Sequence, residues 1–270
     1  MSMIRTVEDL KVALAAPDWA GPQGSVVGSV GEWLPGLVST LPWRSRLTTH
    51  FLLLCYDDTP ADHDLSASLA ELLERTYAEL TAFLNLAART KQERLILQTR
   101  LTCFVIRAWS ERTFGTVLTE QSLFCLLNPK QDAGSALRHE ISHLVWGRLC
   151  GEAPALFNEG LAVYAENVST PNATLDAFFG ANTDALMASP PLADIAFNEG
   201  FWKHGSGLYR PAGVLVAHLV ARWGWEKLRD LFLVSEYEDP QILDHFSEVY
   251  GQELSAVDTD LRQYLASQVR

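Results

Sequence analysis

The sequence predicts an α+β fold, in which a small strand-containing half precedes a mostly helical half. Short apolar runs rich in β-branched and aromatic residues occur before residue 130, as expected for strands. After Gly134 the apolar residues instead follow helical spacing to the end of the chain. Because strands and helices do not alternate regularly, the pattern favours an α+β over an α/β arrangement.

The first half is expected to combine three strands with one long helix. The strands are predicted at Thr49–Tyr56, Leu101–Trp109 and Thr116–Leu127. Between the first two, leucines recur at helical spacing from Ala61 to Arg89, which predicts the helix. We therefore expect a small mixed β-sheet that carries a long helix.

The second half is expected to be a succession of helices separated by glycine, proline or polar breaks. The predicted helices span residues 134–150, 157–167, 173–188, 211–223, 225–235, 240–249 and 253–268.

Residues 1–47 form a predicted N-terminal extension to a main domain at 48–270. Glycine and proline are so dense in the extension that long regular structure is not expected. The extension also holds Trp19, Trp33 and Trp43, which are unusual in a free linker. Two interpretations stay open: an ordered segment that docks its rings on the main domain, or a segment that covers a cleft.

Composition excludes several classes of protein. The 270 residues carry 33 acidic side chains against 21 Lys and Arg, for a formal net charge of -12. This balance argues against nucleic-acid binding, because that affinity is built on basic patches. No apolar run approaches the roughly 18 residues that a membrane span needs, so no membrane partner is expected.

The cysteines and the N-terminus suggest the compartment. Four cysteines are widely spaced, mostly in apolar surroundings, and form no CxxC pair. That usage is typical of reduced core cysteines. The first twenty residues lack the apolar core of a signal peptide. We therefore expect a cytoplasmic protein.

The segment His139-Glu140-Ile141-Ser142-His143 fits the pattern H-E-x-x-H inside a predicted helix. Residues four apart share one helix face, so His139 and His143 can turn imidazole nitrogens toward one ion. Glu140 lies about 100° around the helix, where it can take a proton from a metal-bound water. The flanking residues are apolar, so these polar side chains would be costly to bury unless something such as a metal satisfied them.

A catalytic zinc site needs a third protein ligand. Fifteen residues after His143 comes Glu159, in the segment FNEGLAVYAE, and Gly151 and Pro154 break the chain between them. The break leaves room for a second helix beside the first, opened by Glu159. Glu152 is the alternative ligand, although it lies close to the break.

HEISH followed by FNEGLAVYAE resembles the gluzincin zinc metallopeptidases. Within them, it is most similar to the single-domain peptidases of the MA-like group, related to aminopeptidase catalytic domains. The order of elements and the segment from Tyr209 through Trp225 to Leu228 are also similar, so that the resemblance covers about residues 48–250. It implies a zincin-like fold.

The resemblance also implies roles for individual residues. His139, His143 and Glu159 would bind Zn²⁺, and Glu140 would be the general base. Substrate would add as an extra strand beside the strand predicted before the active helix, within 116–127.

A donor to the tetrahedral intermediate is expected as well, with Tyr209 as the first candidate and His204 as the second.

The chain departs from the family in two places. The gap between His143 and Glu159 is shorter than in the large aminopeptidases, and Val163 stands where some relatives keep an outer-shell carboxylate. Glu166, seven residues after Glu159, lies on the same helix face and either supports a histidine ligand or bridges to arginines.

The residues therefore predict a zinc-dependent metalloprotease, a hydrolase acting on a peptide or protein substrate. A catalytically silent or latent gluzincin-fold binding or regulatory module is the alternative, and an intact Glu140 argues against it. Hydrolysis of a non-peptide substrate at the same zinc is a third interpretation.

Overall fold

A computed structural model describes residues 34, 36–57, 65–86, 90–107, 114–118, 123–127 and 133–268. Trp19, Trp33 and most of the predicted N-terminal extension lie outside these ranges. The chain divides into two compact units, one of residues 1–81 and 87–148 and the other of residues 82–86 and 149–270. All described strands belong to the first unit, and the second is helical, which confirms the predicted α+β class.

The first unit contains a five-stranded mixed sheet in the order β1-β2-β3-β5-β4. Strands β2, β3 and β5 are parallel, whereas β1 and β4 run antiparallel to their neighbours at the two edges. The strands are β1 (Arg44–Leu47), β2 (Phe51–Asp57), β3 (Leu101–Arg107), β4 (Phe114–Leu118) and β5 (Leu123–Leu127).

The helices of the first unit are α1 (Leu65–Phe83), α2 (Lys91–Gln98) and α3 (Gly134–Cys150), the last of which is cut by the division between the units. Helix α1 packs on the sheet, where Tyr77 meets Phe51 edge-on with ring centroids 5.8 Å apart. An ion pair of 2.6 Å between Arg138 and Glu79 joins α3 to α1. In the first unit, α3 is therefore held against α1, which itself packs on the sheet.

The sequence expectation for residues 116–127 is wrong in one respect. These residues do not form one strand but lie in two, β4 and β5, which pair as an antiparallel hairpin from Phe114 opposite Leu127 to Leu118 opposite Leu123. The four residues between the strands (119–122) lie outside the described residues; in the sequence all four are polar, and such clusters between apolar runs separate strands. Strand β5 is consequently flanked on both sides, and β4 forms the edge.

Two further elements of the first unit differ from the expectation. The long helix ends at Phe83 rather than near residue 89, because Asn85 adopts the left-handed conformation with φ +52°. Helix α2 follows as an unexpected short helix, started by a capping box between Thr90 and Glu93.

The second unit consists of helices α4 to α9 and two short 3-10 helices. They are α4 (Ala155–Val168), α5 (Leu175–Ala188), the 3-10 helix Leu192–Ile195, α6 (Asn198–His204), the 3-10 helix Gly205–Leu208, α7 (Tyr209–Val234), α8 (Ile242–Tyr250) and α9 (Leu254–Gln268). Helix α7 is interrupted at Gly224, where φ is +81°, so that the two helices predicted on either side of this residue are confirmed. Helix α6 was not predicted.

Helices α4 and α7 pack at very short range. A Cβ atom on Gly160 would lie 2.5 Å from the carbonyl oxygen of Ala212, and one on Gly213 would lie 2.6 Å from Val163. The two glycines therefore let the helices approach closely, and this packing holds α4 within the second unit. Within the described residues, no helix combines the length and the apolar character needed to cross a membrane.

Candidate metal centre

Helix α3 carries the H-E-x-x-H residues among buried apolar neighbours. Leu137, Ile141 and Leu144 are fully buried, as the sequence indicated. Glu140 and His143 are also buried, with 8% and 6% of their surface exposed, and His139 is half-buried. Burial of this kind is costly for polar groups unless they are satisfied, so these side chains do not form an ordinary solvated helix face.

The two imidazoles face each other across one helical turn. The Nε2 atoms of His139 and His143 are 3.3 Å apart. Two ligands of a tetrahedral zinc ion at about 2.05 Å are separated by roughly 3.3 to 3.4 Å, so this spacing is compatible with two ligands of one zinc ion. The same distance also suits a hydrogen bond between two neutral imidazoles, one donating and one accepting.

A carboxylate completes the group of potential ligands. One ligand atom each from His139, His143 and Glu159 lie within 4.8 Å of one another. Glu159 lies in the second turn of α4, after the connection 151–154, in which Gly151 has φ +82°. Two imidazoles and one carboxylate are a donor set that catalytic zinc sites use, so the residues fit this metal. Among the described residues, the group includes Glu159 and not the alternative Glu152.

Glu140 is next to the histidines in sequence but is not a member of this ligand group. The charge of its carboxylate affects a cysteine of the sheet in the same unit. Burial raises the pKa of the Cys125 thiol on β5, and the charge of Glu140 raises that pKa further. Glu140 therefore occupies a buried position near β5, and its role as a proton acceptor stays a prediction.

Tyr209 and His204 occupy different environments. Tyr209 is the first residue of α7, is half-buried, and stacks on Phe201 with ring centroids 6.2 Å apart. His204 ends α6 and is exposed. Tyr209 thus packs on an aromatic surface, and its role as a donor stays a prediction.

Three residues that the sequence did not single out, Asn198, Trp202 and Tyr237, form a hydrogen-bonded group at the start of the helix that bears Glu159. Asn198 accepts a hydrogen bond from the backbone N–H of Ala155, the first residue of α4, and donates one to the carbonyl of Tyr237. The indole of Trp202 donates to the hydroxyl of Tyr237. These partners are separated by 35 to 43 residues in sequence, so no local pattern could have revealed them.

The phenol of Tyr237 is protonated at neutral pH. Burial raises its pKa to about 12; the hydrogen bond from Trp202 opposes this, and the negative charges of Glu159, Glu238 and Glu152 add to it. Tyr237 therefore lies within electrostatic range of the candidate ligand Glu159 and keeps its proton there.

The structure also explains why an apolar residue, Val163, stands four residues after Glu159. Its side chain is buried and fills the space that Gly213 of α7 leaves, with its Cγ1 atom 2.6 Å from where a Cβ of Gly213 would lie. A carboxylate at this position would be buried in a helix–helix contact without a partner. Glu166 is half-buried on the same helix.

Comparisons with known proteins do not assign the chain to a family. No protein-family model matches the sequence, and no curated protein is significantly similar to it. The case for a function therefore rests on the residues and on the geometry that they adopt.

Proposed function

We propose that the protein is a zinc-dependent peptidase of the gluzincin type. The observation that carries the proposal is the 3.3 Å separation of the His139 and His143 Nε2 atoms on the helix that also bears the buried Glu140, with a carboxylate oxygen of Glu159 in a group of ligand atoms that lie within 4.8 Å of one another. The resemblance of HEISH and FNEGLAVYAE, which contain these same residues, to gluzincins also supports it. A zincin-like fold and a cytoplasmic location belong to the same proposal.

Each residue has a distinct part in the proposed reaction. His139, His143 and Glu159 would hold Zn²⁺, which when bound supplies a Lewis acid and lowers the pKa of a coordinated water. Glu140 accepts a proton from the attacking water and returns it to the leaving amine. Tyr209 is the candidate that donates a hydrogen bond to the developing oxyanion.

The sheet suggests where a peptide would lie. Strand β5 is paired with both β3 and β4, whereas β4 is an edge strand of the described sheet. An extended peptide adds to an edge strand by main-chain hydrogen bonds. We therefore expect substrate beside β4, and not beside β5.

The substitution Glu140→Gln tests the proposal. The amide keeps the volume of the side chain but cannot accept the proton, so zinc should stay bound while peptide cleavage falls by at least about 100-fold. Zinc content is measured by mass spectrometry of the metal after dialysis, and cleavage by sequencing the products from a diverse peptide mixture. His143→Ala is the matched variant that should lose the metal.

The outcomes separate the alternatives. Cleavage by wild type and not by Glu140→Gln supports the peptidase. Zinc bound by wild type without any cleavage contradicts it and favours the silent or latent binding module. Equal zinc content in wild type and His143→Ala contradicts the metal site itself.

A further inference from the structure

Helix α4 begins without a cap of its own. Its N-cap residue is Pro154, which makes no side-chain hydrogen bond to the helix, so the first backbone N–H groups need partners from elsewhere. Side chains at N-caps normally supply that partner. The start of α4 matters because Glu159 follows Ala155 by four residues, or about 6 Å of helix rise.

Asn198 supplies the missing partner from outside the helix. Its Oδ1 atom accepts a hydrogen bond of 2.6 Å from the N–H of Ala155, although 43 residues separate the two in sequence. The Asn198 side chain is 6% exposed, so water does not compete effectively for the bond. The first turn of α4 is thereby fixed to the start of α6.

The amide nitrogen of Asn198 binds a second residue near Glu159. Asn198 Nδ2 donates a hydrogen bond of 2.8 Å to the carbonyl of Tyr237. The hydroxyl of Tyr237 is held in turn by Trp202, which belongs to the same helix as Asn198. One buried amide therefore ties three segments of the second unit together: the start of α4, α6 and the loop that carries Tyr237.

We propose that Asn198 is a positioning residue for the metal site, which holds Glu159 in ligand geometry by capping α4 from another helix. The inference rests on the proposed function, because it takes Glu159 as a zinc ligand. Residues that orient a metal ligand without binding the metal themselves typically contribute 10- to 100-fold in metal affinity. Asn198 acts on the helix that carries the ligand, so we expect the lower end of this range.

Asn182 provides a matched control within the same unit. Its side chain is 8% exposed, and its Nδ2 atom donates a hydrogen bond of 2.8 Å to the carbonyl of Phe178 inside helix α5. Asn182→Ala therefore removes an equally buried amide that bonds within its own helix. A loss of stability alone should affect the two alanine variants in the same way.

The first measurement is hydrogen exchange on the metal-free protein. We expect Asn198→Ala to accelerate exchange of the amides of residues 155–158, and Asn182→Ala to leave them unchanged. This readout does not depend on zinc, so it tests the capping bond even if the proposed function fails. Unchanged exchange at the start of α4 in Asn198→Ala would overturn the inference.

The second measurement is zinc affinity by competition with a chelator. We expect about a tenfold weaker affinity for Asn198→Ala and a change below about twofold for Asn182→Ala. Equal affinities of the two variants would show that the cap does not position the ligand. No zinc binding by wild type would instead overturn the proposed function, and with it the positioning role.

Asn198→Asp keeps the test decisive if the alanine variant does not fold. The aspartate retains an oxygen acceptor for the N–H of Ala155, loses the donor to Tyr237 and adds a negative charge that the positive end of the α4 dipole favours. We expect protected amides at the start of α4 together with a zinc affinity within about threefold of wild type. Protected amides with a larger loss of zinc affinity would contradict the capping mechanism.

Discussion

His218 shows how a single buried polar group can make stability depend on pH. It lies in α7, its ring meets Trp223 edge-on at 6.0 Å, and its buried Nε2 atom has no hydrogen-bond partner among the residues that the structure describes. Burial lowers its pKa below 6.5, the positive charge of Arg222 lowers it further, and Asp260 opposes both. The folded protein therefore favours the neutral imidazole.

The sign of the pH effect follows from this shift. Because the pKa of His218 is lower in the folded state, the unfolded state binds more protons at pH values between the two pKa values. The free energy of unfolding should thus decrease as the pH falls below about 6.5. We expect His218→Gln, which cannot be protonated, to flatten this decrease.

Urea unfolding at a series of pH values between about 5 and 7.5 measures the effect. The two proteins are compared by the slope of unfolding free energy against pH, so a constant difference in stability does not affect the result. Identical slopes would contradict the burial argument for His218.

At the scale of the elements, the glycine that follows Glu159 is explained by packing. Gly160 faces α7, and a Cβ there would lie 2.5 Å from the backbone oxygen of Ala212, which cannot move without shifting the whole helix. We expect Gly160→Ala to destabilise the protein by about 1 to 3 kcal/mol, as overpacking of a close contact does. Thermal or urea unfolding measures the loss.

Gly180 is the matched control for this prediction. It lies in the interior of α5, is exposed, and a Cβ at this position would have nothing within 4 Å. Replacing such a glycine by alanine normally stabilises a helix by about 0.5 to 1 kcal/mol. Opposite signs for the two substitutions are therefore expected, and a stabilising Gly160→Ala would contradict the packing account.

The helices of the second unit could be predicted from the sequence because their boundaries are marked locally. Helical spacing and breakers such as Gly224 placed most of them within a few residues. The hairpin of β4 and β5 is not evident from the sequence, because only four polar residues separate its two apolar strands. Helix α2 was missed since it is short and has no buried residue, so periodicity gave little signal.

In the candidate site, too, some residues could be predicted from the sequence and others could not. His139, Glu140 and His143 lie within one helical turn or so, and their spacing alone predicts a shared face. Asn198 and Tyr237 lie far away in the sequence and approach α4 only through tertiary packing. Local patterns therefore identify groups that a single helix presents, and not the groups that hold that helix in place.

At the scale of the whole molecule, all four cysteines are buried thiols. Cys55, Cys103 and Cys125 belong to the sheet of the first unit, and Cys150 belongs to the second. Burial raises the pKa of Cys103 well above its usual range, the neighbouring cysteines contribute, and burial likewise raises that of Cys125. A thiol must ionise to react, so these groups should be inert in the folded protein.

We therefore expect thiol labelling to report the opening of each unit. An aromatic disulfide reagent should modify none of the four cysteines at the rate of an exposed thiol, because reaction has to wait for unfolding. With added urea, labelling of the three sheet cysteines follows the opening of the first unit, and labelling of Cys150 follows that of the second. Mass spectrometry of peptides identifies each site against time, and fast modification of any of the four without denaturant would contradict their burial.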